Sequence, residues 1–191
     1  MKKLLICLLA ASMMICGGCA EKSGGESASN AASAVQTEKS GFYGLVSNMK
    51  ICGHDVSLPC TFSDLGSSFS YAEPLEDKGA GWMFTTLYCD GKDIGNVYTE
   101  LRSDGDYDKA KIVSLVLNQH SEASVNGLSI GDAEKTIAEK LGKDLVKTDM
   151  NIDYGNDEEG FIRILLNSTD NTVMKITVML PEKDRKKKAA E

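Results

Sequence analysis

Three strand-like runs follow one another so closely in the middle of the chain that only antiparallel pairing can join them. They are residues 82–89, 95–102 and 111–118, with turn signals at Asp90-Gly91 and Asp104-Gly105. Parallel neighbours need a crossover of a dozen or more residues, and these gaps are too short for one. A second set follows at residues 146–154, 161–167 and 172–180. The pattern predicts two β-meanders and an α+β fold.

A short helical segment precedes each set. Before the first, Val56-Ser57-Leu58-Pro59 leads into Thr61, a good helix cap, with Asp64 placed for a capping box and Gly66 as an early stop. Before the second, Leu128-Ser129-Ile130-Gly131 leads into Asp132 as N-cap. Ala133, Ile137 and Leu141 then share one helical face, and Gly142 supplies the stop. At a constant offset of 72 residues, Val56 matches Leu128, Leu58 matches Ile130, Leu65 matches Ile137 and Phe69 matches Leu141. The expectation is two tandem helix-plus-meander repeats, about residues 49–120 and 125–181. Together they would form one curved antiparallel sheet with short helices on one face.

The segment Gly127-Leu128-Ser129-Ile130-Gly131-Asp132, followed by Ile137 and Leu141-Gly142, resembles the helix entry of the β-lactamase-inhibitor-protein-like fold, shared with the SmpA/OmlA envelope lipoproteins. The resemblance covers roughly residues 50–180 and implies tandem helix-helix-meander units that bind proteins on the open sheet face. Phe69-Ser70 stands where the second half has Leu141-Gly142, a departure from the pattern. The stretch from Ile51 to Cys60 also resembles the opening of lipoproteins of Gram-positive anaerobes, which implies a single-membrane host.

The N-terminus carries an address. Lys2 and Lys3 precede an uncharged, mostly apolar run over residues 4–15, long enough for a secretory signal and shorter than the roughly 20 residues a membrane span needs. Ile15-Cys16-Gly17-Gly18-Cys19 resembles the bacterial lipobox, with Cys16 where leucine is usual. That resemblance implies cleavage after residue 18 and lipidation (palmitate) of Cys19. Residues 19–40 are too poor in large apolar side chains to offset their ordering entropy and read as a tether. The domain then spans residues 41–182, and residues 183–191 read as a solvated charged tail. The expected location is the extracytoplasmic face of the cell membrane, held by the lipid.

Loss of Lys2 and Lys3 from 21 basic residues leaves 19 against 28 acidic ones, a net charge of −9. Such a domain is a poor partner for nucleic acid or anionic lipid. Cys52, Cys60 and Cys89 lie in the domain; Cys52–Cys60 and Cys60–Cys89 disulfides and three reduced thiols all stay open. A thiol-and-base site from Cys52, His54, Asp55 and Cys60 is outweighed by a hairpin turn with His54 at its tip. Zinc fails on ligand number and spacing. Asp104, Asp106 and Asp108 open like a calcium loop, but Lys109 and Leu115 occupy the positions that need glycine and glutamate. No cofactor, metal or catalytic residue is expected.

Alternation along residues 82–89 puts Trp82, Phe84 and Tyr88 on one face and Met83 and Leu87 on the other, with Tyr98 joining the aromatics from the next strand. These four residues form either a binding face or part of the core, and the core reading is the weightier. The leading expectation is a non-enzymatic, membrane-anchored protein- or envelope-binding adaptor. The alternative is a small-ligand carrier or sensor with its ligand between the halves.

Overall fold

The structure is a computed structural model that describes residues 41–77 and 81–185. The expected signal peptide, Cys19, the tether and residues 186–191 lie outside the described residues.

The described chain opens with α1 (Phe42–Val46) and a tight hairpin of β1 (Met49–Ile51) and β2 (His54–Val56). The single turn α2 (Phe62–Leu65) follows, then β3 (Phe69–Tyr71) and β4 (Leu75–Asp77). The first meander is β5 (Trp82–Cys89), β6 (Lys92–Glu100) and β7 (Ile112–Leu117). A second tight hairpin, β8 (Ser124–Val125) and β9 (Leu128–Ser129), leads to α3 (Ile137–Leu141). The rest is β10 (Leu145–Lys147), β11 (Asn151–Asn156), β12 (Gly160–Leu166), β13 (Val173–Met179) and α4 (Glu182–Arg185).

All strand pairs are antiparallel, as the short connections require. The large sheet has nine strands, in the order β10-β11-β12-β13-β7-β6-β5-β3, with β4 also paired to β5. The two meanders therefore join through their last strands, with Ile176 opposite Leu117 and Val178 opposite Leu115. A smaller four-stranded sheet, β2-β1-β8-β9, joins the two tight hairpins in the same manner, first half to second half. The fold is α+β, dominated by sheet.

One face of the large sheet is aliphatic and dry. Leu87, Val97, Leu115, Leu117, Ile162, Ile164, Ile176 and Val178 are buried there. They form one core with Phe42, Leu45 and Val46 of α1, Phe62 and Leu65 of α2, and Ile137 and Leu141 of α3. Burying such side chains removes apolar surface at about 25 cal/mol per Å², the main force holding helices this short in place. At α2, the Asp64 carboxylate accepts the Thr61 N–H at 2.8 Å and the Thr61 hydroxyl at 2.7 Å, closing the expected capping box.

Gly95 shows how closely β6 and β7 approach. Its φ is +137°, and a Cβ there would sit 1.9 Å from the Val116 carbonyl oxygen. A register shift between Leu87 and Tyr88 lies directly opposite, so the strand bends where only glycine fits.

Several expectations are corrected. The helix from Asp132 is a 3-10 turn over Glu134–Thr136 followed by α3, and Ala133 bridges Thr172 in extended conformation. Asp132 instead accepts the Ser129 N–H at 2.8 Å, tightening the turn before the helix. Phe69 belongs to β3, opposite Cys89, whereas Leu141 ends α3, so the constant offset of 72 does not hold through the helices. Residues 146–154 contain two strands with a turn between them. The ordered domain also runs past residue 182: Lys183–Arg185 belong to α4, and the Arg185 side chain is only 8% exposed. A guanidinium that can lie on an aromatic ring while still reaching a carboxylate need not stay in solvent. Thus α4 reaches the face opposite the core, unlike the other three helices.

Candidate functional site

The face of the large sheet opposite the core holds the aromatic residues. Along β5, Met83, Thr85, Leu87 and Cys89 are buried, while Trp82, Phe84, Thr86 and Tyr88 are half-buried on the other side. Phe84 lies directly across from Tyr98 and Trp82 across from Glu100. The Phe84 and Tyr98 rings stack with centroids 5.9 Å apart, and Trp82 meets Tyr98 edge-on at 6.3 Å. Both spacings lie in the range where aromatic pairs attract beyond simple burial. Of the four expected residues, three make a cluster. Tyr88 stands apart at the far end of β5, across from Asp93.

The second meander continues this face with different chemistry. Arg163 donates to Asp153 through Nε at 2.9 Å and through Nη2 at 2.8 Å, a two-pronged pair between β12 and β11. Its guanidinium also lies 5.3 Å from the centre of the Phe161 ring. The Asp153 partner raises the Arg163 pKa further above its already high value.

Where the two meanders meet, Arg185 of α4 closes one end of the aromatic cluster. Its guanidinium lies 5.7 Å from the centre of the Trp82 ring, Nη1 reaches Met179 Sδ at 3.1 Å, and Nη2 donates to the Asp157 carboxylate at 2.8 Å. The buried Nε has no protein partner. Tyr43 donates to the Asp184 carboxylate, and Lys111 donates to the Asp184 backbone carbonyl, pinning α4 from two directions. Burial and then the Asp184 contact raise the Tyr43 pKa. Sequence reasoning missed Arg185 because a lysine-rich terminus reads as solvated.

The sequence-level chemical candidates are rearranged. Cys52, Cys60 and Cys89 are free thiols. Neither considered disulfide is formed. Cys52 and Gly53 form the hairpin turn, and His54 is the first residue of β2, opposite Ile51, not the tip. The His54 ring packs edge-on against Phe69 at 5.5 Å. Asp55 is taken by Lys50 at 2.6 Å. Cys60 is pushed up to about 12 by burial and then by the charge of Asp64, which makes it a poor nucleophile. The thiol-and-base set of Cys52, His54, Asp55 and Cys60 is therefore not assembled.

The Asp104–Asp108 carboxylates point to separate partners. Asp104 pairs with Arg102, which holds its carboxyl down to about 2, Asp106 pairs with Lys109 at 2.7 Å, and Asp108 accepts the Tyr71 hydroxyl at 2.8 Å. No convergent oxygen cage exists in this loop.

Two clefts of about 520 Å³ are present. One is lined by Phe42, Tyr43, Tyr154, Glu158 and Lys183, the other by Ile137, Leu145, Lys147, Ile152 and Asp170. Neither lies at the seam between β7 and β13. Among the described residues no helix is long and apolar enough to cross a membrane. Comparison with protein-family models, curated proteins and solved structures gave no match.

Proposed function

We propose that this chain is a lipoprotein held through Cys19 at the extracytoplasmic face of a cell membrane, carrying a non-enzymatic adaptor domain. The domain binds a protein or envelope polymer through the sheet face of Trp82, Phe84 and Tyr98, with Tyr88 at its margin. The observation that carries this reading is the half-buried aromatic cluster on the side of β5 and β6 facing away from the core. Aromatic side chains are favoured anchors at binding surfaces, and here they lie on rigid strands at low entropic cost.

The tandem-repeat reading belongs to the same proposal. Each half holds a tight hairpin, a short helix and a run of antiparallel strands, and the halves meet hairpin to hairpin and last strand to last strand. Two copies of one unit joined in this way generate one broad face. The small-ligand carrier reading receives less support, because it asks for a cavity between the halves and the clefts lie elsewhere.

Co-sedimentation of the full chain with isolated cell envelope tests the proposal. Phe84→Ala combined with Tyr98→Ala should abolish the part of the retention that survives in Cys19→Ala, while Cys19→Ala alone should move the chain from the detergent phase to the aqueous phase. Unchanged retention of a folded double variant refutes the aromatic face; a Cys19→Ala chain still in the detergent phase refutes the anchor.

A further inference from the structure

Two hairpin turns from different sheets meet at one end of the molecule. Cys52-Gly53 joins β1 to β2 in the small sheet, and Asp90-Gly91 joins β5 to β6 in the large one. Around this meeting point, a ring nitrogen of His54, Sγ of Cys89 and a carboxylate oxygen of Asp90 all lie within 4.8 Å of one another. The hairpin turn beside them carries Cys52. Cys52 Sγ in turn reaches the Ser121 carbonyl at 3.1 Å.

The residue types match the position poorly for folding alone. Cys52 has φ +50°, a left-handed conformation that two-residue hairpin turns normally give to Asn, Asp or Gly. The corresponding turn of the second half obeys that preference with Asn126-Gly127. The Cys52 thiol holds this corner through its bond to the Ser121 carbonyl and packs against the core. Asp90 and Glu122 add negative charge around Cys89.

We propose that this junction is a site for a divalent metal ion that favours mixed sulfur and nitrogen donors, zinc(II) above all, held by Cys89, His54 and Asp90. A thiolate, an imidazole and a carboxylate are three donors suited to zinc, with the fourth tetrahedral position left to water. Bond lengths of about 2.0 to 2.3 Å put neighbouring donors roughly 3.3 to 3.8 Å apart, so closure needs shifts of about 1 Å. His54 and Asp90 are exposed and free to make them, while Cys89 is buried and fixes the inner side. Binding displaces the Cys89 thiol proton to solvent, so affinity rises with pH.

The proposal does not depend on the adaptor reading, and cobalt(II) titration of the reduced full chain tests it. Cys7, Cys16 and Cys19 are replaced by serine so that N-terminal thiols do not compete. One equivalent of cobalt should produce a sulfur-to-metal charge-transfer band that zinc abolishes. Cys89→Ser should eliminate the band. The exposed substitutions His54→Gln and Asp90→Asn, which leave the buried core untouched, should each weaken binding by at least the roughly 10- to 100-fold seen for loss of a supporting partner. Absence of a band in the reduced chain overturns the proposal, as does a band unaffected by Cys89→Ser or His54→Gln. Peptide mapping that finds a Cys52–Cys89 disulfide in the isolated chain, with no cobalt bound after reduction, also overturns it and makes the pair a disulfide.

Discussion

The two halves of the domain each hold a tight hairpin and a run of antiparallel strands, and they differ in what these present. In the first half, the tight hairpin carries Cys52 and His54, and the meander behind it presents Trp82, Phe84 and Tyr98. In the second, the hairpin carries Asn126 and Leu128, and the meander presents Phe161 under an Arg163–Asp153 pair. Asn126 serves local structure, donating to the Lys140 carbonyl at 2.6 Å, and Leu128 is fully buried. The core of the second half is wholly aliphatic, while the first adds Phe42, Met49, Phe62 and Cys89. The halves also differ at the turn, Cys52 against Asn126, and on the outer face, stacked aromatic rings against an arginine–aspartate pair.

The largest effect should come from the seam that the halves share. Leu115 is fully buried on β7, opposite Val178 of β13. Leu115→Ala should lower unfolding stability by about 2 to 5 kcal/mol in urea denaturation. A cost under about 1 kcal/mol would mean that the halves do not share one core. Next comes Gly95→Ala, whose Cβ would clash with the Val116 carbonyl on a backbone alanine rarely adopts. A loss of roughly 1 to 3 kcal/mol or more is expected, and a neutral result would contradict the close approach of β6 and β7.

Smaller effects sharpen the contrast between the hairpins. Cys52→Asn puts the second half's turn residue into the first and should stabilise the chain by a few tenths to about 1 kcal/mol, because the left-handed position suits asparagine. A clear destabilisation would show that Cys52 serves the fold. The thiols also predict a pH dependence. Cys60 is raised in the folded state from an ordinary 9.0 to about 12, so its contribution is complete below pH 9 and is lost as pH rises toward 12. Urea midpoints should fall across that window, and less steeply in Cys60→Ala.

Much of the sheet was legible because its signals are local. Alternation over residues 82–89, and turn residues such as Asp90-Gly91, depend only on near neighbours, and β5 begins and ends where they indicate. The four aromatic positions could be placed on one face for the same reason, though alternation could not say which face met the helices. Pairings between distant segments left no such trace. Met49 lies opposite Val125 in the small sheet, and nothing near either residue announces the other. His54 comes within reach of Cys89 and Asp90 only because two hairpin turns from different sheets meet, which no count along the chain could show. Arg185 was missed because its value depends on Trp82 and Asp157, both far away in sequence.

The account turns on whether the first half's aromatic face is open, and Trp82, the only tryptophan, reports on it directly. The deciding measurement is acrylamide quenching of its fluorescence in the full chain, compared with Arg185→Ala. The account predicts red-shifted emission that acrylamide quenches readily, and quenching that increases when the guanidinium is removed from the ring. Blue-shifted emission, protected in both proteins, would place Trp82 in the core and contradict the aromatic binding face.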